Sequence, residues 1–139
     1  MKIILTVLSA TLLLVSCSNY GKKVKKGSVE VYYKEGIAET EASRTAQVLS
    51  DVDKAENNNT EQTKSVQLIK VKDTVVFRMV ADKAKAAEIG DFPFQAIGTI
   101  ISDSVFKGKP VLVELTDNTL TTYKKIPYLK LDLGGGAAQ

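Results

Sequence analysis

Few residues of this chain could carry chemistry: one cysteine, Cys17, no histidine, and scattered carboxylates. Histidine is the most frequent general base at neutral pH, and the common zinc sites combine cysteine with histidine. No serine stands in a Gly-x-Ser-x-Gly turn. The composition therefore excludes triad hydrolases of the usual kind, Cys/His zinc sites and intrachain disulfides, and we expect no metal and no cofactor.

The carboxylates form no catalytic pattern. Asp51 and Asp53 lie two positions apart in a predicted helix and so face different directions. Asp82, Asp91 and Asp103 stand near predicted helix ends or in exposed positions, where solvation explains them. We therefore expect no enzymatic activity. A carboxylate-dependent enzyme is the alternative, and it requires a concave pocket with two acids within about 10 Å of each other.

The first 16 residues have the pattern of an export signal. Lys2 supplies a positive start, and residues 3–15 are almost purely apolar. As a helix this run would reach only about 20 Å, short of the hydrocarbon core of roughly 30 Å. A signal peptide is therefore favoured over a permanent spanning helix.

The apolar run ends in Leu14-Val15-Ser16-Cys17, which resembles the lipobox of bacterial lipoproteins. The resemblance implies cleavage between Ser16 and Cys17, after lipidation of the Cys17 thiol, and acylation of the new amino group by a fatty acid such as palmitate. Several acyl chains give lasting membrane attachment, because each buried methylene contributes about 0.8 kcal/mol. A non-lipidated secretory peptide and an uncut anchor are the alternatives.

The resemblance also carries a prediction of location. In enterobacterial lipoproteins an Asp directly after the cysteine retains the protein at the inner membrane, and this chain has Ser18 there. We therefore expect lipid anchoring in the bacterial cell envelope, on the periplasmic face of the outer membrane. A chain whose sole cysteine is lipidated exposes no free thiol in an oxidising compartment.

A cluster of four lysines follows the cysteine, and residues 17–27 are predicted to form a basic tether. The four lysines carry a charge of +4, which exceeds the net charge of +3 of the whole chain, so the remaining residues together are slightly acidic. A nucleic-acid surface would instead spread its basic residues over the domain, so no nucleic-acid partner is expected. The cluster is predicted to contact anionic head groups, with a solvated spacer as the alternative. Its members are Lys22, Lys23, Lys25 and Lys26.

The body of the chain alternates strand and helix patterns. Alternation with a period of two predicts strands at residues 29–34 and 111–116. Two β-rich runs at residues 65–71 and 74–80 predict a hairpin with its turn at Lys72-Asp73, and a short edge strand is expected at 119–126. Helical spacing predicts helices at residues 39–54, 82–89 and 94–106. Ala38 takes the position of the capping residue, and Glu41 stands three residues later, as in a capping box.

This order predicts the α+β class, as a ferredoxin-like βαββαβ two-layer sandwich whose antiparallel sheet carries both helices on one face. One domain is expected at residues 28–128, followed by a flexible tail at 129–139. An open five-stranded α+β sheet with another strand order is the alternative. One set of alternating residues should face the helices: Val29, Val31, Tyr33, Phe77, Met79, Val111, Val113 and Leu115.

The other set should form a polar and aromatic platform on the opposite face of the sheet. It contains Glu30, Tyr32, Lys34, Arg78, Leu112 and Glu114. Tyr32, Arg78, Glu30 and Glu114 are the candidate residues for binding a protein or peptide partner, and cross-strand pairs without a ligand are the alternative.

The function expected from the sequence is a lipid-anchored, periplasm-facing binding or accessory module for another envelope component. The carboxylate-dependent enzyme is one alternative to this function, and a structural or assembly lipoprotein is another. The sequence leaves the partner and the oligomeric state open.

Overall fold

The computed structural model describes residues 20–55 and 63–134. The predicted signal peptide and the predicted cleavage and lipidation residues, Ser16 and Cys17, lie outside these residues. The described part contains six strands and three helices. They are β1 (Lys22–Lys26), β2 (Val29–Tyr33), α1 (Glu39–Ala55), β3 (Lys64–Val71), β4 (Thr74–Val80), α2 (Lys83–Ile89), α3 (Phe92–Val105), β5 (Val111–Thr116) and β6 (Thr122–Ile126).

All six strands form one mixed sheet whose spatial order is the order of the chain. The β1–β2, β3–β4 and β5–β6 pairs are antiparallel, and the β2–β3 and β4–β5 pairs are parallel. The predicted α+β class is confirmed. The predicted ferredoxin-like antiparallel sheet is wrong, because each strand pairs with its neighbour in sequence and two of the five ladders are parallel.

The two crossover connections have opposite hand. Their helices share one face, since α1 packs against α3 and Arg44 Nε donates to the carbonyl of Ser104 at 2.5 Å. The β2–β3 pair, however, runs opposite to the β4–β5 pair, while both connections step in the same direction across the sheet. One crossover therefore departs from the right-handed rule, whereas the ferredoxin-like order would allow both to follow it.

The core lies between the sheet and the two long helices. The residues predicted to face the helices are buried, except Met79, which is half-buried against the same cluster. Phe77 and Leu68 on the sheet and Ile101 on α3 are fully enclosed. Gly98 of α3 lies so close to β5 that a Cβ atom there would meet Val113 at 3.1 Å. The helix-facing half of the period-two pattern is confirmed.

The first helix begins as the sequence predicts. The backbone N–H of Ala38 donates to the Glu41 carboxylate at 2.8 Å, which is the half of a capping box that an alanine permits. At the other end, Asp53 is buried and forms an ion pair with Lys64 at the start of β3. The first contact fixes where α1 begins, and the second holds its C-terminal end to β3.

The lysine cluster is an edge strand rather than a tether. Residues 22–26 pair with β2 in antiparallel register, so the domain begins before the predicted boundary at residue 28. At the other terminus, the hydroxyl of Thr99 donates to the carbonyl of Leu129 and accepts from the N–H of Leu131, both at 3.2 Å. The first part of the predicted flexible tail, residues 129–134, therefore runs along α3, and residues 135–139 lie outside the described part.

Gly21 sets the start of β1. Its φ is +94°, and a Cβ atom would stand 2.3 Å from the backbone oxygen of Tyr33. Gly108 has a φ of +82°, and a Cβ atom there would meet only Asp103 Oδ1, at an ordinary contact distance of 3.9 Å. Both positions penalise a side chain by roughly 1–2 kcal/mol through backbone conformation, but only Gly21 adds a clash with backbone.

We predict that Gly21→Ala destabilises the protein by at least about 1 kcal/mol more than the matched control Gly108→Ala, because the clash adds to the strain of a positive φ that both positions share. Urea unfolding followed by circular dichroism measures both changes. Equal losses in the two variants would contradict the docking of the chain at Gly21 against β2.

Candidate functional site

A row of polar side chains crosses the sheet on the face away from the helices. Its six members are neighbours in the strand register, one from each strand, and we call them the polar row: Lys23, Tyr32, Gln67, Arg78, Glu114 and Lys125. The four predicted partner-binding residues lie on this face, since Glu30 is two residues from Tyr32 in β2. The sheet therefore brings the predicted platform together.

Arg78 joins the three central strands. Its Nε donates to Glu114 Oε2 at 3.2 Å, and a terminal guanidinium nitrogen donates to Gln67 Oε1 at 3.2 Å. The hydroxyl of Thr122 also donates to Glu114 Oε2, at 3.0 Å. The side chain of Glu114 is only 6% exposed and that of Arg78 26%. Arg78 thus neutralises a buried carboxylate with one of its five N–H donors and holds Gln67 with another.

The β1 side of the face carries the exposed part of the platform. Glu30 accepts from the Tyr32 hydroxyl at 3.4 Å and lies 3.5 Å from Lys23 Nζ and 3.9 Å from Lys25 Nζ. Lys23 Nζ also lies 5.8 Å from the centre of the Tyr32 ring, within cation–π range. A carboxylate, a phenol and two ammonium groups are therefore close together at a half-exposed margin.

Residue Tyr20 lies over this same face. Its ring meets Tyr32 edge to face at a centroid distance of 5.5 Å, and its carbonyl accepts from Gln67 Nε2 at 2.9 Å. The sequence analysis missed Tyr20 and Gln67. Gln67 was readable, because it interrupts an apolar strand between Val66 and Leu68, but no pattern indicated that the chain before β1 would cross the sheet.

The remaining predicted positions are less closely connected to the polar row. Lys34 is exposed just beyond the end of β2. Leu112 lies in the next register row with Ile69 and Val76, which makes an apolar strip beside the polar one. Of the four clustered lysines, Lys23 and Lys25 pair with Glu30. Lys22 and Lys26 alternate with them on the other side of the edge strand and are exposed.

The sequence matches the family described as "AF_1994_N: family N-terminal domain" over residues 23–126. The match covers more than half of the chain. The chain belongs to the AF_1994_N family. The matched residues begin in β1 and end at the last residue of β6, so the AF_1994_N domain is the complete six-stranded sheet with its helices. No curated protein and no solved structure matches the chain.

The AF_1994_N domain has a hollow of about 480 Å³ where β4 and β5 end, lined by Asp82, Lys83, Asp117 and Tyr123 among others. Asp82 caps α2 by accepting from the N–H of Lys85 at 2.9 Å. Bonds from the Thr119 hydroxyl and from the backbone N–H groups of Thr121 and Thr119 hold the pKa of Asp117 below its ordinary value. Both carboxylates therefore already accept hydrogen bonds from backbone N–H groups.

Tyr123 closes one side of this hollow. Its hydroxyl donates to the carbonyl of Ala81 at 2.8 Å. Desolvation raises the pKa of Tyr123 above its ordinary value, and the nearby charge of Asp82 adds to the increase. The Tyr123 hydroxyl is thus kept protonated and acts as a structural donor.

Another hollow, of about 570 Å³, separates α3 from residues 130–134 and includes Asp103 and Asp132. Asp103 lies 3.8 Å from Lys130 Nζ. Within residues 20–55 and 63–134, no group of three or more Cys, Asp and Glu side chains could hold a metal ion. No helix in that part of the chain is long and apolar enough to cross a membrane.

We predict that Arg78→Met lowers the free energy of unfolding by about 2–3 kcal/mol, because it leaves the Glu114 carboxylate buried without its cation and Gln67 without a donor. Lys124→Met is the matched control, since the Lys124–Asp91 pair lies 42% and 43% exposed and exposed pairs contribute at most about 1 kcal/mol. Guanidinium unfolding compares the two variants. The central role of Arg78 is wrong if both lose the same stability.

Proposed function

We propose that this chain is a lipoprotein of the bacterial cell envelope, whose folded domain is a non-catalytic binding or accessory module held at the membrane through lipidated Cys17. The observation that carries the proposal is the Leu14-Val15-Ser16-Cys17 sequence at the end of an apolar run. It contains the only cysteine of the chain. Placement on the periplasmic face of the outer membrane is the further part of the proposal.

The short distance between Cys17 and the sheet supports an anchored domain. Tyr20 already contacts Tyr32 and Gln67, so only Ser18 and Asn19 separate the cysteine from the folded body. The three residue steps from Cys17 to Tyr20 span at most about 11 Å even when fully extended. A lipid on Cys17 would therefore hold the domain directly at the bilayer surface.

Binding at the β1 side of the open face is the second part of the proposal. Glu30 and Tyr32 would contact the partner, with Lys23 and Lys25 beside them. The sequence analysis grouped Arg78 and Glu114 with these residues. They lie farther along the same polar row and would hold Gln67, the neighbour of Tyr32, in place. The chemistry fits a polar protein or peptide segment that offers hydrogen bonds and an aromatic or cationic side chain.

Self-assembly through the sheet edges is disfavoured by charge. Both outer strands carry lysines, four in β1 and two in β6. Charged side chains on edge strands oppose pairing with another sheet. A carboxylate enzyme is disfavoured because the two acids in each hollow are already engaged. Asp82 and Asp117 accept from backbone N–H groups. In the other hollow, Asp103 lies near Lys130 Nζ and Asp132 accepts from the N–H of Gly134.

We predict that the protein recovered from bacterial membranes begins at Cys17 and carries lipid, because the lipobox resemblance implies cleavage before a lipidated cysteine. Intact-mass spectrometry and labelling with a palmitate analogue measure this directly. The Cys17→Ser variant should keep residues 1–16 and incorporate no label. An unmodified and unprocessed wild-type chain would overturn the anchoring proposal.

We predict that Tyr32→Ala reduces crosslinking of the anchored protein to its envelope partner in cells by at least about fivefold, because it removes an aromatic contact at the centre of the proposed surface. Lys125→Ala is the matched control in the same polar row at the opposite sheet edge. Lys125→Ala should unfold within about 1 kcal/mol of the wild type, and Tyr32→Ala, which also loses its contacts with Tyr20 and Glu30, should lose about 1–2 kcal/mol, so crosslinking is compared at a temperature at which both variants are folded. Unchanged crosslinking of Tyr32→Ala would remove this surface from the proposal.

A further inference from the structure

One end of the sheet collects lysines from segments that are distant in sequence. At this end β1 begins, β2 ends, and β3 turns into β4. The connection from α3 also reaches β5 there, because Lys22 pairs with Tyr33 and Val75 pairs with Val111. We call it the Lys22 end. Its lysines are Lys22, Lys34, Lys70, Lys72, Lys107 and Lys109.

All six lysines of the Lys22 end are exposed. Among the described carboxylates, none lies within 4.0 Å of the Nζ atom of any of them. The acids at this end, including those in the first turn of α1 and the last turn of α3, are fewer: Glu35, Glu39, Glu41, Asp73 and Asp103. This end therefore presents an excess of uncompensated positive charge.

The opposite end of the sheet has a different balance. Lys64 pairs with Asp53 there, and Lys124 pairs with Asp91. The other described charges at that end balance, with four lysines and four acids: Lys26, Lys54, Lys83, Lys85, Asp51, Asp82, Glu88 and Asp117. The domain is thus electrically polarised along its strands, with the positive pole at the Lys22 end.

An apolar side chain projects from the positive end. Val71 is 53% exposed at the end of β3, between Lys70 and Lys72. Lys72 has a φ of +56°, so the hairpin turns sharply at this point. Phe92 and Ile89, which are 65% and 54% exposed, lie at the opposite end, so it is the excess of positive charge and not the apolar side chain that distinguishes the Lys22 end.

The four clustered lysines, which the sequence predicts to contact the membrane together, lie in different parts of the domain. Lys23 and Lys25 are paired with Glu30 on the open face, and Lys26 lies at the opposite end of β1. Of the four, only Lys22 belongs to the Lys22 end. A membrane contact made by the folded domain would therefore use lysines from four separate segments rather than a basic tether.

We infer that the Lys22 end rests on the anionic head groups of the bilayer that holds Cys17, with Val71 at the lipid boundary and the strands directed away from the membrane. The inference rests on the proposed lipid anchor, which starts five residues before Lys22. Each lysine near an anionic surface adds attraction that salt screens. This orientation leaves the polar row facing sideways, accessible to a partner.

Lysine footprinting of the full chain tests the orientation. The protein is reconstituted into vesicles of phosphatidylcholine with about one third phosphatidylglycerol and, in parallel, into neutral detergent micelles. It is then briefly acetylated and analysed by mass spectrometry. We expect the lysines of the Lys22 end to react at least about threefold more slowly in the vesicles. Lys26, Lys54 and Lys85 at the opposite end should react equally in both.

A charge-reversed variant separates attraction from simple shielding. In Lys72→Glu/Lys107→Glu/Lys109→Glu, the remaining lysines Lys22, Lys34 and Lys70 should lose their protection. The matched variant Lys26→Glu/Lys54→Glu/Lys85→Glu should keep it. Neutral phosphatidylcholine vesicles and 0.5 M salt should each weaken protection in the wild type, since the attraction is electrostatic.

The outcomes distinguish the orientation from the anchor. Protection of Lys23, Lys25 and Lys125 instead would place the open face on the membrane and overturn the inference, as would equal reactivity at both ends. Neither result bears on lipidation, because the mass of the cellular protein decides that separately. If the cellular protein proves to carry no lipid and its Lys22 end is still protected on the vesicles, the proposed anchor is wrong and the orientation stands.

Discussion

Two parallel ladders, β2–β3 and β4–β5, are the constraint on which the rest of the structure depends. The hairpin between β3 and β4 joins them and sets Gln67 opposite Arg78. The ladders then align Tyr32 with Gln67 and Arg78 with Glu114. Because side chains alternate between faces, a slip of one residue in any ladder would exchange that strand's core residues with its polar ones.

The core and the polar row are therefore two consequences of one register. Phe77 and Leu68 lie under the helices because Arg78 and Gln67 lie on the other face. The buried carboxylate of Glu114 is tolerated there because the guanidinium of Arg78 and the hydroxyl of Thr122 reach it. Removing the cation would leave a buried charge, which costs more than the pair contributes when intact.

The elements of the body could be predicted from the sequence, and so could the two faces of the sheet. Alternation in β2 and β5 placed Tyr32 and Glu114 together on the face away from the helices, where they lie. Strand β1 could not be predicted, because Lys22–Lys26 contains one apolar residue and owes its conformation to pairing with β2. Tertiary pairing thus overrides a weak local preference.

The strand order could not be predicted either. The same succession of strands and helices suits the ferredoxin-like order and the observed one, and the handedness rule favours the former. What distinguishes them is which strands share hydrogen bonds, and no local pattern reports this. Arg78 and Glu114 are adjacent only because β4 pairs with β5, so the polar row as observed depends on the strand order.

Lysines have three separate roles in this account. They protect both sheet edges from pairing, they surround Glu30 on the open face, and they make the Lys22 end positive. The sequence alone showed only the cluster of lysines near Cys17. The fold distributes that cluster over both sides of one edge strand and adds lysines from the β3–β4 hairpin and the α3–β5 connection.

Nuclear Overhauser effects between backbone protons are the most direct test of the strand order. The account predicts contacts between Val31 and Val66 across the β2–β3 ladder and between Phe77 and Val113 across the β4–β5 ladder. Contacts that join β2 to β4 or β5 would show the ferredoxin-like order instead. They would contradict the sheet described here, and with it the polar row.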